Sequence, residues 1–418
     1  MITQNRFLLR FILLITIFIT FPFPLDSIPF LGFIGESWEE LKHLFIPWIA
    51  KNILGLEKEI TVFTNGSGDT TYDYVQLLFH VVISLIGAGI WSVIDRKERS
   101  LRSMNYWLLV LLRYYLGYVM LSYGMVKVIQ LQFPQPSFMR LLQPFGDASP
   151  MGLAWTFMGF SQGYNLFVGL GEVIGGILLF HRRTSILGAI ILVAVISNIV
   201  AINFFFDVPV KIYSSTLLLM DLVILMPHIN NLLRVILFNQ PTESIEYMEP
   251  FSHPRWKLGK NIMKWITVVW LVGSNIYGAL ESDKEYGKAA PKPKLYGLHE
   301  TEVFIHNGDT LERSLEPSLR WRYLIFERSE FALSLDEEKK RTWYKVEMDS
   351  LRDRVYLTNF RDTTSSMSLN FVMTDSSLIL DGFKDGDTLH IEAITHKKED
   401  FLLMNRGFNW INEYPFNR

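Results

Sequence analysis

V-V-I-S-L-I-G-A-G-I-W-S-V-I-D-R-K-E-R-S-L-R-S-M-N-Y-W-L-L-V-L-L, residues 81–112, is an apolar run, a basic turn and a second apolar run. It reads as two membrane helices joined by a short cytoplasmic loop, because Lys and Arg are retained on that side and R-K-E-R-S-L-R fills 96–102. Working outward, seven stretches approach the roughly 20 residues needed to cross a hydrocarbon core. They are 7–25, 72–94, 106–129, 163–180, 185–206, 210–227 and 262–280. With the N-terminus inside, the inner loops 1–6, 95–105, 181–183 and 228–261 carry 11 Lys and Arg. The outer loops 26–71, 130–162 and 207–211 carry 5. The first stretch has Arg6 and Arg10 ahead of its apolar core, but its exit F-P-F-P-L-D-S-I-P-F lacks a small-residue cleavage pattern. It is expected to be retained as a span. Residues 281–418 then lie outside, in the periplasm of a bacterium whose inner membrane holds the helices. Six spans, with the first removed, leave that placement unchanged.

The chain has 418 residues, room for two or three domains. A mean hydropathy of +0.20 averages two populations: residues 1–280 are mostly apolar runs, and 281–418 are polar with β-type alternation. The net charge of −2 leaves no basic surplus for phosphates, so no nucleic-acid partner is expected. The absence of cysteine excludes disulfides, thiolate metal sites, Fe–S clusters and C-x-x-C relays.

The outer loop 26–71 is expected to hold an interfacial helix. Ser37 and Glu40 have the capping-box spacing. Trp38 and Trp48 suit the headgroup layer, and Pro47 is expected to kink or end the helix. M-G-L-A-W-T-F-M-G-F at 151–160 is too short to cross and is interfacial or re-entrant.

Charges inside a bilayer are costly, so each is a candidate for function. Arg113 and Lys127 lie 14 residues apart in the third span, on one helical face with Gly117, Met120 and Gly124. The glycines would let a neighbouring helix approach closely. Glu172 lies in the fourth span, where Gly171 and Gly175 form a small-x-x-x-small pair. Asn198 lies in the fifth span and Asp221 in the sixth. Matching depths pair Arg113 with Asp221, and bring Glu172, Asp207 and Lys211 toward Lys127 near the outer surface. This set either lines a functional cavity or forms a structural network. Lys127 could also simply snorkel to the interface. His80, eight residues into the second span from outside, is read as a hydrogen-bonded packing residue. Haem is not expected, because His181 and His228 fall at inner span ends and offer no mid-membrane partner. No metal site is expected.

Three stretches and a fourth shorter one carry a family resemblance. R-Y-Y-L-G-Y-V-M-L-S-Y-G-M-V-K runs from Arg113 to Lys127, and S-P-M-G-L-A-W-T-F-M-G-F-S-Q from Ser149 to Gln162. G-L-G-E-V-I-G-G-I-L-L-F-H-R-R-T runs from Gly169 to Thr184, and N-F-F-F-D-V-P-V-K from Asn203 to Lys211. Together, residues 113–227 resemble the DoxX-like family of four-helix membrane proteins. The resemblance implies a four-helix core at 106–227. Some of that family are subunits of thiosulfate:quinone oxidoreductase, which implies a quinone as a candidate cofactor. This chain adds two spans before the core (1–105), one after an inner loop (228–280) and a large outer domain (281–418), and it has no cysteine for a sulfur relay.

That outer domain reads as all-β and antiparallel. Strand-like segments follow at 295–306, 319–327, 330–335, 342–348, 354–358, 367–373, 378–382, 388–395 and 401–405. N-G-D-T at 307–310 and K-D-G-D at 384–387 are tight turns. An up-and-down barrel or a meandering sandwich fits such a series. A glycine in the first strand and an arginine after the last are similar to the lipocalin pattern, with His299 where a tryptophan is expected. The aromatic end, with Trp410, Tyr414 and Phe416, is expected to plug the barrel or dock onto the bundle. K-A-A-P-K-P-K at 288–294 reads as a stiff linker. No G-x-S-x-G, H-E-x-x-H, Walker A or G-x-G-x-x-G motif occurs.

Three functions stay open. The first is a non-catalytic membrane component whose periplasmic β domain binds a protein partner or an apolar ligand. The second is a quinone-associated redox subunit using Arg113, Glu172 and Asp221. The third is a small-solute transporter, for which no inverted repeat is visible.

Overall fold

A computed structural model describes residues 2, 5–28, 30–60, 66–95, 101–242, 248, 251, 253–313, 319–328, 330–349 and 351–417. The basic turn at 96–100 and residues 243–247 of the inner loop lie outside the described residues. The chain divides into two compact units. One holds residues 1–133, 150–155 and 162–282; the other holds 134–149, 156–161 and 283–418.

The first unit is helical. It contains α1 (Arg6–Thr20), α2 (Gly32–Asn52), α3 (Thr71–Ile94) and α4 (Leu101–Val128). After α5 (Phe138–Leu142), which belongs to the second unit, come α6 (Pro150–Phe160), α7 (Gln162–Leu179), α8 (Ser185–Phe205), α9 (Lys211–Leu225), α10 (Ile229–Ile236) and α11 (Pro254–Tyr286). Among the described residues, six segments are long and apolar enough to cross a membrane: Arg6–Ser27, Thr71–Ile94, Leu101–Val128, Gln162–Leu179, Ser185–Phe205 and Lys211–Ile236. The seventh expected stretch lies inside α11, where Lys264, Ser274 and Asn275 interrupt the apolar run. By length and composition α11 therefore falls outside those six.

Polar side chains set several helix ends. Thr70 and Asp73 form a reciprocal capping box at the start of α3. Asn5 accepts from the Leu8 amide at the start of α1. The expected capping box at Ser37 and Glu40 does not form. α2 starts at Gly32, so both residues lie inside it, where helical N–H groups already have backbone partners. Pro47 likewise sits inside α2 and does not end it.

Within this unit α4 packs on α7, α7 on α8, α8 on α9 and α1 on α3. Leu108, Leu112, Leu116 and Met120 recur every fourth residue and are fully buried in the core with Leu179, Leu192 and Ile196.

The second unit is a closed antiparallel barrel of eight strands. These are β1 (Gly297–His306), then β3 (Trp321–Arg328), β4 (Phe331–Asp336), β5 (Arg341–Asp349), β6 (Arg354–Asn359), β7 (Ser366–Met373), β8 (Ser377–Lys384) and β9 (Asp387–His396). A two-residue β2 (Asp309–Thr310) pairs only with β1. Each barrel strand pairs with the next, and β9 returns to β1, so no edge is left open. Asn307–Gly308 and Asp385–Gly386 have positive φ at both central positions, the backbone that two-residue hairpins require.

Alternate residues from all the barrel strands fill the lumen, among them Phe304, Trp321, Phe326, Val355, Leu369 and Leu380. The outward residues Leu298, Ile325, Leu333 and Leu335 are also buried, because α5 lays Phe138 over them. Segment 134–149, between two membrane helices in sequence, thus belongs to the barrel unit.

Two expectations for this unit are corrected. Residues 401–405 form no strand; Leu402–Asn405 is a single helical turn, α12, because β1 and β9 already close the sheet. The aromatic end does not plug the barrel. Trp410 and Tyr414 are exposed, and Arg406 stacks on Phe416 with 4.7 Å from guanidinium to ring centre. The lumen is already full of strand side chains.

Candidate functional site

The strongest polar site in the bundle is built by glycine. α4 and α7 run antiparallel and cross at two glycine pairs. A Cβ added at Gly124 would lie 2.9 Å from the Gly169 carbonyl oxygen, and one added at Gly169 would lie 2.8 Å from that of Gly124. Gly117 and Gly176 repeat this contact at 3.0 and 2.9 Å. Backbones approach this closely only where side chains are missing. Gly171 and Gly175 face α8 instead, toward Val195 and Leu192.

Beside the Gly124–Gly169 contact, Lys127 and Glu172 meet. The Lys127 ammonium lies 2.8 Å from Glu172 Oε1 and donates to Oε2 at 2.9 Å. The two side chains are 5% and 0% exposed. Lys127 therefore does not snorkel: its nitrogen is satisfied inside the bundle. It also stands 5.6 Å from the centre of the Tyr123 ring. Tyr123 neighbours Tyr213 at 6.2 Å between ring centres.

The other expected members are placed elsewhere. Arg113 does not pair with Asp221; its Nε donates to the Leu179 carbonyl at 2.9 Å. Leu179 ends α7, and a helix end offers unused carbonyls that attract a cation. Asp221 is fully buried in α9, and neither carboxylate oxygen has a hydrogen-bond partner among the described residues. Asn198 lies on an exposed face of α8, away from the pair, because α8 turns Leu192, Ile196 and Asn203 inward. Lys211 pairs with Asp207 at 3.0 Å and with Asp69 at 3.7 Å rather than with Glu172. His80 is buried against Phe18, 6.1 Å between ring centres, and Phe79. A hydrogen-bonded packing residue is the expectation; its Nε2 has no hydrogen-bond partner among the described residues.

Three polar contacts gave little signal in the sequence. Asp69 accepts from the Lys211 and Ile212 amides at 2.8 and 2.9 Å, and so caps α9 from 142 residues away. Arg10 is buried and donates to the Asp95 backbone oxygen at 2.8 Å, with Trp91 beneath its guanidinium. Asn165, fully buried, donates to the Phe133 carbonyl at 3.3 Å. The one usable hint was the rarity of Arg10 within an apolar run.

Chemically, the site is a sealed ion pair next to a helix crossing, in which Glu172 Oε2 accepts from Lys127 while Oε1 has no hydrogen bond among the described residues. Among the described residues no group of three or more His, Asp and Glu is placed to hold a metal.

No family model matches the chain, and no solved structure matches it. A stretch of 115 residues, 27% of this chain, is 38% identical to the uncharacterized protein YwoB of Bacillus subtilis (strain 168) and covers 71% of that protein. The chain therefore belongs to the same family as YwoB.

Proposed function

We propose that this chain is a non-catalytic membrane component that presents its β barrel at the outer face of the bacterial inner membrane, where the barrel's outer surface engages a protein partner. The observation that carries this reading is the filled lumen. Side chains from all the barrel strands occupy the space in which an eight-stranded barrel would otherwise hold a ligand. Recognition is thereby moved to the surface. The buried Lys127–Glu172 pair then acts as a tie between α4 and α7. The quinone reading needs Arg113, Glu172 and Asp221 to converge on one headgroup, and the bundle holds them at three separate sites.

The outer placement has topological support. α5 follows α4 and is docked on the barrel, and the barrel follows α11. On this proposal the C-terminal ends of α4 and α11 lie on one side, which is the arrangement when α7, α8, α9 and α11 each cross. The basic inner loops select the outer side. On this reading α11 is the seventh span, and DoxX-like kinship describes the four-helix core.

The chain has no cysteine, which makes placement testable in intact cells. Asp375→Cys in the β7–β8 turn should react with a membrane-impermeant maleimide without lysis, and Arg182→Cys only after lysis. The reverse pattern overturns the orientation. A photo-crosslinker replacing Trp343, an exposed barrel residue, should trap a discrete protein adduct in cells. Absence of any adduct there and at other exposed barrel positions removes the partner.

A further inference from the structure

After β9 the chain continues through α12 into a segment with an unusual surface. Phe408, Trp410, Ile411 and Tyr414 are 77, 91, 78 and 82% exposed. The segment is ordered around Arg406, which donates to Asn412 Oδ1 at 2.7 Å and lies over the Phe416 ring. Asn412 in turn donates to the Asn409 carbonyl at 3.1 Å. Phe408 and Trp410 meet edge to face, 5.0 Å between centres. The backbone thus folds back on itself and holds aromatic rings outward. From 401 to 418 the charged residues are Arg406, Glu413 and Arg418, among four asparagines. Aromatic bodies with polar tips, set among amides and little net charge, match the layer between hydrocarbon and water.

The root of this segment says which surface it can reach. Phe401 packs on Phe138, 6.4 Å between ring centres, and Tyr296 packs on the same ring at 5.8 Å. Phe138 comes ten residues after Val128, the end of α4, and Tyr296 ten after Tyr286, the end of α11. A chain of ten residues spans at most about 35 Å. The covalent chain thus limits how far this segment can range from the ends of α4 and α11, and such tethering turns weak partition into a high local concentration.

We propose that residues 402–417 are an interfacial anchor, which inserts Phe408, Trp410 and Tyr414 into the headgroup layer of the membrane that holds the protein's own helices. The inference does not depend on which side of the membrane carries the barrel, nor on a protein partner.

The test uses the full cysteine-free chain carrying Trp410→Cys or, separately, Asp375→Cys. Each is labelled with an environment-sensitive fluorophore and reconstituted in nanodiscs of phosphatidylcholine and phosphatidylglycerol at about 3:1. At position 410 emission should be blue-shifted and quenched several-fold more than at 375 by a headgroup-level nitroxide lipid, and more than by a deep one. Tyr414→Cys should behave like Trp410→Cys, which guards against a local effect of one substitution. Emission at 410 and 414 as water-like as at 375 overturns the proposal. Blue-shifted emission that no nitroxide lipid quenches overturns it too, since protein rather than lipid then covers the segment.

Discussion

Where α4 crosses α7, backbone meets backbone: Gly124 against Gly169 and Gly117 against Gly176, with no room for a Cβ. Across the barrel lumen, side chain meets side chain: Phe304 lies against Trp321, and Trp321 against Tyr344, at 6.0 and 5.8 Å between ring centres. The placement of charge differs in the same sense. In the bundle Lys127, Glu172 and Asp221 are interior. In the barrel, the buried Arg320 is paired with Glu337 beside the ends of β3 and β4, and the lumen is left to large apolar side chains. The contrast follows from the solvent. Lipid gives helices no hydrophobic reason to associate, so close backbone contact and polar ties hold them together. Water drives burial of the barrel's apolar lumen, at about 25 cal/mol per Å².

The largest expected effect breaks a polar tie of the bundle. Lys127→Met leaves Glu172 buried without its partner and should cost about 3–5 kcal/mol. In thermal unfolding of the detergent-solubilised chain, Lys127→Met/Glu172→Leu should recover most of that loss. If the double variant is as unstable as the single one, the pair does more than satisfy itself.

The barrel should respond to acid instead. The His299 ring is buried between the Leu295 carbonyl and Thr395 Oγ1, each 3.0 Å away, and burial pushes its pKa down to about 4. The unfolded chain takes up a proton near pH 6.5, whereas the folded barrel resists until about 4. Stability is thus complete above pH 6.5 and falls as the pH drops toward 4, by about 3 kcal/mol in total. Denaturant unfolding of the full chain in detergent, followed by near-ultraviolet circular dichroism, reads this. His299→Gln should be less stable at pH 7.5 but should show a shallower decline between pH 6.5 and 4.5. An unchanged slope would remove His299 as the cause.

Gly124→Ala sharpens the contrast further. One methyl group at the α4–α7 contact should cost about 1–3 kcal/mol by overpacking, whereas Gly89→Ala on α3, where a Cβ meets open space, should be near neutral. Equal melting temperatures for the two variants would show that the crossing is not backbone-tight. The smallest effect is expected at Asp69→Ala, which removes the distant cap of α9 and should cost about 1 kcal/mol. The same loss from Asp69→Asn would indicate that charge rather than hydrogen bonding matters there.

Much of the architecture was legible because it depends on local pattern. The apolar runs of α1, α3, α4, α7, α8 and α9 announce themselves by length, and β1 and β3–β9 by alternation and by Asn307–Gly308 and Asp385–Gly386. α11 was less plain, because Lys264, Ser274 and Asn275 dilute its apolar run. The site was legible in part. Gly117, Gly124, Lys127 and Glu172 stood out as residue types that lipid penalises or helix crossings favour, yet which charge met which was not readable. Depth along each helix made Arg113 and Asp221 plausible partners; rotation about each helix axis separated them. Asp69 gave no hint at all, since a cap supplied from 142 residues away leaves no local spacing.

By itself the sequence determined that most of residues 1–280 must avoid water and that 297–396 must form a sheet with alternate side chains inward. Both follow from the periodicity of solvation along a chain. Tertiary structure alone decided that Lys127 finds Glu172, that Asp221 has no hydrogen-bond partner among the described residues, that β9 closes onto β1, and that Phe138 leaves the membrane loop to cover the barrel wall. These depend on contacts between residues far apart in the chain, and such contacts are set by how helices rotate and strands close rather than by neighbours in sequence.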